Sequence, residues 1–274
     1  MIFNKGMKRF AQKRIAITGA ASGLGRAIAL RFAKAGWAVC IADIHMQRAI
    51  EVAKEIEILG SEALVFECNI SNESDFQKLA KHLQESWGGV DIFVNNAGIS
   101  SSGSLDESSY DEWQRLLDIN LMGVVRGCKV FAPILEQQGA GHIVNVASFA
   151  GIASAPGMVT YNVAKAGVIS LSESLRHELK SKNISVSVAC PSFFETNLLE
   201  SMNRKENVKL VTKLMQNSGV TAEDVSDHVY RGVEKQEFML ITHKDARLQY
   251  NMKRLSPDLF HTVMHKMLAR VGMV

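Results

Sequence analysis

Cysteine is scarce in this sequence, and the few cysteines have no motif spacing. The chain of 274 residues contains four of them. No two are close enough for a metal or redox motif, and each lies in or next to an apolar run: Cys40, Cys68, Cys128 and Cys190. We therefore predict buried thiols in a reducing compartment, with no disulfide framework and no metal site.

Long apolar runs and an excess of one charge sign are also absent. No window has the roughly 20 apolar residues that a membrane helix needs. The basic residues Lys5, Lys8 and Arg9 are not followed by the apolar stretch of a secretory signal. Because 31 basic and 28 acidic residues leave a net charge of only +3, nothing indicates a nucleic-acid partner. These absences predict a soluble, cytoplasmic protein.

What the sequence does contain is a regular alternation of two patterns. Short β-branched apolar runs predict strands at residues 14–18, 38–43, 63–69, 91–95, 142–147, 184–190 and 238–242. Between them, apolar residues recur at helical spacing, as in residues 24–35 and 75–87. Because parallel strands need crossover connections, we predict a doubly wound, Rossmann-type α/β fold. Its seven-stranded parallel sheet would carry helices on both faces.

No linker, internal repeat or low-complexity tract divides this series. The 47% hydrophobic content is enough for one sizeable core. We predict a single domain over residues 1–274, with an N-terminal arm (1–13), a substrate lid (194–220) and a C-terminal helical extension (244–274).

The first predicted strand runs directly into a glycine-rich turn and then a helix. Residues 18–25 read TGAASGLG, which is a TGxxxGxG pattern. Glycine permits a tight turn, and backbone N–H groups at a helix N-terminus attract a pyrophosphate. A strand, a glycine turn, a helix and a second strand ending in an acid together predict a dinucleotide site. The turn residues assigned to it are Gly19, Ser22, Gly23, Leu24 and Gly25.

Asp43 is the acid that ends the second predicted strand. A carboxylate there can accept hydrogen bonds from both hydroxyls of the adenosine ribose. It would repel a 2′-phosphate by about 4 kcal/mol at ~4 Å and an effective dielectric near 20. The positions where a basic residue could offset this repulsion hold Ser22 and Ile44 instead, so we predict NAD rather than NADP. Two alternatives stay open, namely that Asp43 only caps the next helix and that Arg48 supports NADP.

Tyr161 and Lys165 begin a long segment with helical periodicity. Positions i and i+4 share one helix face, so the phenol and the ammonium point the same way. A phenol has a pKa near 10 and exchanges protons poorly at neutral pH unless a nearby cation stabilises its anion. General acid–base catalysis of this kind is typically worth ~10²–10⁴-fold.

Other polar residues follow predicted strands or interrupt apolar helices. Ser148 follows the fifth strand, at the edge where open α/β sheets bind ligands. It could instead be a simple turn residue, with Ser154 or Ser170 in its place. Asn120 stands in an apolar helical stretch, where the alternative is a helix-bending or loop-bonding role. The segment 95–98, which reads NNAG, ends the fourth strand.

These motifs, in this order, resemble the short-chain dehydrogenase/reductase family in its single-domain form. The resemblance covers residues 14–242. It implies that Tyr161 is the general acid/base and that Lys165 lowers the pKa of the phenol and binds the nicotinamide ribose. Ser148 would then hydrogen-bond the substrate oxygen, and Asn120 would hold a water in the proton path. The cofactor cleft would be lined by Asn96, Ala97 and Gly98.

The sequence departs from the family pattern at two positions. Asn69, next to Ile70, replaces the acid that usually holds the adenine amino group, and its amide oxygen can still accept that bond. Pro191 is followed by Ser192 where the family has glycine, and serine restricts φ. Thr196 keeps the expected spacing and is predicted to hydrogen-bond the carboxamide.

Apolar residues predict the character of the substrate. Phe193 and several Leu and Met residues of the lid follow the sixth strand, and Phe149 follows Ser148. In the family such a segment closes over the substrate, which here would be a hydrophobic alcohol or ketone bound by Ser148, Phe149, Tyr161 and Phe193. The alternative is a helix packed on its own core.

Basic and apolar residues alternate after residue 242. Such a segment can lie on an anionic membrane surface, but we favour docking on its own domain or on a neighbouring subunit. The helices predicted around 111–135 and 161–179 resemble those through which family members form homodimers or homotetramers.

The sequence therefore predicts an oxidoreductase that transfers a hydride between NAD(H) and a hydrophobic secondary alcohol or ketone. One alternative is an NADP-preferring carbonyl reductase. A second, from a different class, is a catalytically silent dinucleotide-binding regulator on the same fold.

Overall fold

The computed structural model describes residues 6–194 and 218–270. Seven strands form one parallel sheet, and they are β1 (Arg14–Thr18), β2 (Ala38–Asp43), β3 (Ala63–Glu67), β4 (Ile92–Asn95), β5 (Gly141–Val146), β6 (Ile184–Ala189) and β7 (Met239–Leu240). Their order in the sheet is β3-β2-β1-β4-β5-β6-β7. The predicted fold class and all seven predicted strands are confirmed.

Ten helices surround this sheet within the described residues. They are α1 (Gly23–Ala33), α2 (Met46–Ile58), α3 (Glu73–Trp87), α4 (Tyr110–Leu117), α5 (Gly123–Gln137), α6 (Ala150–Ala153), α7 (Val159–Glu178), α8 (Ala222–Lys235), α9 (Lys244–Leu255) and α10 (Pro257–Arg270). Two short 3₁₀ turns lie at Gly6–Arg9 and Lys180–Lys182.

Most predicted bounds differ from the observed ones by one or two residues, and three differences have structural interest. β3 ends at Glu67 rather than at residue 69, because Asn69 begins a local turn by accepting the Ser71 N–H. β7 has two residues instead of five. The helix predicted over 111–135 is interrupted by a π-helical segment at Asp118–Met122, which separates α4 from α5.

The sheet divides the core into two layers because side chains alternate along each strand. Ile15 and Ile17 of β1 pack with α1, α2 and α8, whereas Ala16 between them packs with α3, α5 and α7. On β4, Phe93 stacks on Phe131 of α5 with ring centroids 3.7 Å apart. Both faces of the sheet are therefore covered, as a parallel sheet requires.

The strand order reverses between β1 and β4, whose connections leave the sheet in opposite directions. Such a switch point opens a crevice at the C-terminal ends of the strands. Thr18, Asn95 and Val146 end three neighbouring strands there. The fold thus places the predicted glycine turn, the NNAG segment and Ser148 at one edge.

The two terminal segments are docked where the structure describes them. Phe10 of the N-terminal arm is buried and packs edge-on against Trp37. In the C-terminal extension, Ala246 and Phe260 are buried, and Lys253 Nζ donates to Ile152 O at 2.5 Å. The extension therefore docks on its own chain, as favoured. Residues 1–5 and 271–274 lie outside the described part of the chain.

Searched over the described segments, the chain contains no helix with both the length and the apolar character needed to cross a bilayer. The four cysteines are buried and carry free thiols, as predicted, and burial raises the pKa of each.

Candidate active site

A cavity of about 590 Å³ opens at the C-terminal edge of the sheet, over the switch point. Most of the predicted site residues line it: Gly19, Ser22, Gly23, Leu24, Asp43, Asn69, Ile70, Asn96, Ala97, Gly98, Ser148, Phe149, Tyr161, Lys165, Pro191 and Phe193. Gly25 and Asn120 are not among its lining residues. Thr196 lies outside the described residues, as does nearly all of the predicted lid.

The glycine turn leaves room that side chains would fill. Gly19 has a φ of +65°, and a Cβ there would lie 2.7 Å from Ala97 Cα. A Cβ on Gly25 would lie 2.2 Å from Gly19 O. Gly25 therefore lets the turn fold back on its own helix, which explains why it supports the cavity wall without lining it.

The N-terminus of α1 faces this turn and is suited to bind an anion. Ser22 is its N-cap residue, and within the described chain its side chain makes no capping hydrogen bond. The first N–H groups of a helix have no intrahelical partner and carry a partial positive charge. A narrow glycine turn and an uncapped helix start fit the pyrophosphate of a dinucleotide.

Thr18 and Asn96 fix the turn to the end of β4. Asn96 Nδ2 donates to the carbonyl oxygens of Thr18 and Gly19, at 2.9 and 3.1 Å. Thr18 Oγ1 accepts the N–H groups of Asn96 and Ala97, at 3.0 and 3.1 Å. Sequence reasoning missed the role of Thr18, although its place at the strand end was a signal.

Asp43 is largely buried and ties β2 to the same turn. Its Oδ2 accepts the Ala21 N–H and its Oδ1 accepts the His45 N–H, both at 2.9 Å. The N-cap residue of α2 is His45, not Asp43. These two hydrogen bonds hold the carboxylate in a fixed orientation at the cavity wall. A residue that only capped α2 would not need this orientation.

Asn69 reaches the cavity with its amide oxygen engaged in a local bond. Its Oδ1 accepts the Ser71 N–H at 3.0 Å. The predicted acceptor for the adenine amino group is thus used by the chain itself, and only its second lone pair is available.

Three polar side chains meet at the inner end of the cavity. Tyr161 and Lys165 lie one turn apart on α7, with Lys165 Nζ 5.8 Å from the centre of the Tyr161 ring. The side chains of Ser148 and Tyr161 are hydrogen-bonded to each other, and Ser148 Oγ accepts the Ala150 N–H at 3.1 Å. The structure therefore brings together the three groups that the sequence patterns placed on separate elements.

Burial dominates the acid–base properties of this group. It raises the pKa of Tyr161 to about 12, against the hydrogen bond from Ser148, which lowers it. Burial also lowers the pKa of Lys165 to about 8. Desolvation of the phenolate thus outweighs the hydrogen bond from Ser148, and the lowering of the phenol pKa by Lys165 stays a prediction.

Lys165 is held by a neutral acceptor. Its Nζ donates to the carbonyl oxygen of Val146, at the end of β5, at 2.9 Å. A Cβ on Gly98 would lie 3.6 Å from that nitrogen. The small residue at the end of the NNAG segment thus leaves space beside the ammonium.

Asn120 uses both ends of its amide on the loop after β4. Its Nδ2 donates to Ile99 O at 2.7 Å and its Oδ1 accepts the Ile99 N–H at 2.8 Å. The residue is fully buried in the π-helical segment. Its side chain therefore has the loop-bonding role that the sequence left open as the alternative.

His243 was not predicted to take part in the site. It follows β7, and its ring contacts the backbone of Ser192 and Phe193, which line the cavity. No sequence signal short of the tertiary contact identifies it, because the partners are about 50 residues apart.

The chain is similar to known proteins along most of its length. The profile of the short chain dehydrogenase family matches residues 13–207. The 3-oxoacyl-acyl-carrier-protein reductase of Synechocystis sp. is 32% identical over 196 residues, which make up 71% of this chain and 79% of that protein.

Two solved structures are similar to nearly the whole chain. A short chain dehydrogenase/reductase from Burkholderia phymatum, in complex with NAD, has a TM-score of 0.85 and 30% identity, covering 90% of this chain and 94% of that one. A short-chain dehydrogenase from Sphingobium yanoikuyae, in complex with NADPH, has a TM-score of 0.75 and 25% identity, covering 93% and 95%.

Proposed function

Since the chain belongs to the short-chain dehydrogenase/reductase family, we propose that it transfers a hydride between NAD(H) and a hydrophobic secondary alcohol or ketone. The predicted family is confirmed. The chain is an NAD(P)-dependent oxidoreductase that acts on CH–OH or carbonyl groups, which was also predicted. The single observation that carries the finer proposal is the convergence of Tyr161, Ser148 and Lys165 in one cavity.

The proposed chemistry assigns one task to each of these groups. When bound, the dinucleotide supplies or accepts the hydride and, in its oxidised form, adds a positive charge beside the phenol. The hydroxyls of Ser148 and Tyr161 hydrogen-bond the substrate oxygen. Tyr161 donates its proton to that oxygen in reduction and removes it in oxidation. Lys165 is charged at neutral pH and, beyond its bond to Val146, has two further N–H groups for the cofactor ribose.

Replacing Tyr161 tests this mechanism. We expect Tyr161→Phe to reduce kcat by about 10²–10⁴-fold, since the proton donor is lost while the ring and its packing stay. NADH binding, followed by fluorescence titration, should change little. Tyr110→Phe, at an exposed tyrosine, is the matched control and should leave kcat unchanged. Near-normal turnover by Tyr161→Phe would overturn the assignment.

We propose NAD rather than NADP as the preferred cofactor. Asp43 is fixed at the cavity wall by two backbone N–H groups, and a 2′-phosphate near it would be repelled. His45 and Arg48 also line the cavity. The alternative is that Arg48 compensates the charge of a 2′-phosphate and so supports NADP. Dissociation constants for NADH and NADPH decide between them. We expect Asp43→Asn to bring the dissociation constants for NADH and NADPH closer together. If the unaltered protein binds NADPH more tightly than NADH, the proposal is contradicted.

The proposed substrate is apolar because several large apolar side chains line the cavity beside Ser148 and Tyr161. It includes Ile99, Phe149, Met158, Phe193 and Phe194. The Synechocystis relative is named as a reductase of 3-oxoacyl chains, which agrees with an apolar ligand. Turnover of a panel of ketones graded by chain length tests this. Binding of NADH without turnover across a broad panel would favour the silent regulator instead.

We also propose a homodimer or homotetramer in the cytoplasm. Two large apolar residues are exposed at the two long helices. Met122 directly precedes α5, and Val163 lies on α7. The four buried free thiols suit a reducing compartment. Light scattering of the purified protein measures its mass, and a monomer at micromolar concentration contradicts the assembly.

A further inference from the structure

His243 contacts the loop that follows β6 through both of its ring nitrogens. Its Nε2 lies 2.8 Å from the Phe193 carbonyl oxygen, and its Nδ1 lies 3.4 Å from the Ser192 backbone nitrogen. A carbonyl oxygen can only accept and a backbone N–H can only donate. These partners therefore require a neutral ring with the proton on Nε2.

The loop held in this way forms one wall of the cavity. Pro191, Ser192, Phe193 and Phe194 all line it. On the opposite side, the Pro191 carbonyl accepts the Phe149 N–H at 2.8 Å, directly after Ser148. The loop is thus tied on one side to the segment that carries the proposed substrate-binding serine, and on the other to His243.

His243 itself is anchored by the C-terminal extension. It is the N-cap residue of α9, and its carbonyl oxygen accepts the Arg247 N–H at 3.0 Å. One turn into that helix, Ala246 is buried against the core. A side chain fixed at the start of a docked helix loses little further freedom when it holds a loop.

We propose that His243 is a positioning residue that fixes the 191–194 loop and thereby sets the affinity for cofactor and substrate. It does not touch the reacting atoms. This inference rests on the proposed function, because the loop affects catalysis only if the cavity binds a nicotinamide dinucleotide and a substrate.

Three variants separate its two hydrogen bonds. His243→Phe keeps the ring volume and removes both bonds. His243→Gln keeps a terminal N–H group that can reach Phe193 O. His243→Asn keeps an acceptor near the position of Nδ1 but is too short to reach Phe193. His265→Phe, at an exposed histidine of the same extension, is the control.

We expect His243→Phe to weaken NADH binding and raise the substrate KM by roughly tenfold each, as two lost hydrogen bonds imply. The kcat should fall by less than about threefold, since the reacting groups are untouched. Amide hydrogen exchange in a peptide covering Ser192–Phe194 should accelerate. His243→Gln should restore NADH affinity to within about threefold of the unaltered protein.

Unchanged NADH affinity and amide exchange in a folded His243→Phe protein overturn the proposal. If that variant does not fold, equal affinity and exchange in His243→Gln and His243→Asn overturn it. Both readouts are independent of turnover, so they also separate this inference from the proposed function. A protein that binds NADH but turns over no substrate still tests His243.

Discussion

Two buried basic side chains near opposite ends of the parallel sheet, Arg14 and Lys165, have different kinds of partner. At the N-terminal ends of the strands, Arg14 donates to the Asp91 carboxylate from its backbone N at 2.8 Å and its Nη2 at 3.0 Å. Nearby, the Gln138 amide donates to Val90 O and accepts the Val90 N–H, at 2.6 and 3.1 Å. Arg14, Asp91 and Gln138 thus have partners of complementary charge or polarity.

At the C-terminal ends, where the cavity opens, the partners do not match in charge. The Lys165 ammonium bonds a neutral carbonyl oxygen, and burial lowers its pKa to about 8. The Tyr161 phenol is buried beside it, and burial raises its pKa to about 12. The Arg14–Asp91 pair thus stabilises the fold, whereas Lys165 and Tyr161 are retained at a cost in stability and serve chemistry.

The largest expected effect comes from Lys165→Met, which separates activity from stability at the cavity end. We expect a loss of about 10²–10⁴-fold in kcat/KM, because the cation beside the phenol and the ribose is removed. At neutral pH the thermal midpoint should rise, because a buried ammonium with a lowered pKa opposes folding while it is charged.

The pH dependence of this effect has a fixed sign. The unfolded lysine, with its ordinary pKa, holds its proton to higher pH than Lys165 does in the fold. The contribution of Lys165 to stability should therefore rise from about pH 8 to 10.5, so the stability difference between Lys165→Met and the unaltered protein should shrink over that range. The comparison is made as a difference because the buried thiols and Tyr161, whose pKa values are raised, lower the stability of both proteins above about pH 9. Lys129→Met, at an exposed lysine, is the control. Loss of stability at neutral pH in Lys165→Met contradicts the comparison.

At the opposite end, Asp91→Asn should destabilise the fold and spare the chemistry. The charge of Arg14, whose side chain is 12% exposed, would lose its counter-ion, at an expected cost of about 3 kcal/mol in urea unfolding. Turnover per folded molecule should not change. Glu55→Gln removes the partner of Arg26 in a pair that is more than one-third exposed, and it should cost less than about 1 kcal/mol. An equal loss of unfolding free energy in Asp91→Asn and Glu55→Gln would contradict the difference between the buried and the exposed ion pair.

The smallest expected effect concerns His142, which is fully buried at the same end as Asp91. Its Nδ1 lies 2.6 Å from Arg9 Nη2 and its Nε2 lies 2.8 Å from Ser187 Oγ. Burial, and then the charge of Arg9, lower the pKa of His142 well below its ordinary value. The unfolded state therefore binds a proton below about pH 6.5 that the folded state does not.

Stability should consequently fall as the pH drops below about 6.5, by at most ~1.4 kcal/mol per pH unit for this one residue. We expect His142→Asn to be less stable at pH 7 and to show a shallower decline between pH 6.5 and 5.5. His177→Asn, at an exposed histidine, should keep the original slope. Identical slopes in the His142 variant and the unaltered protein contradict the prediction.

Local patterns predicted the parts of the site that depend on position along the chain. Alternation of apolar runs located all seven strands, and strand ends located Asp43 and Ser148 at the correct edge. Helical spacing alone placed Tyr161 and Lys165 on one face of α7. These features repeat every two or 3.6 residues, so neighbouring residues are enough to specify them.

Contacts between distant segments could not be predicted in this way. Asn120 was expected in the proton path, but its amide is taken up by Ile99, 21 residues away. The balance of burial and charge that sets the pKa of Tyr161 depends on every element packed around it. The ring of His243 reaches a loop about 50 residues earlier in the chain.

By itself, the sequence determined the fold class, the edge of the sheet that carries the site and the chemical groups available there. Periodicity, glycine spacing and strand ends are local properties, and local sterics and hydrogen bonding decide them. The tertiary structure alone decided which groups have matched partners, which are left for a ligand, and how far each pKa moves. Those outcomes depend on burial and on long-range contacts, which exist only once the chain has folded.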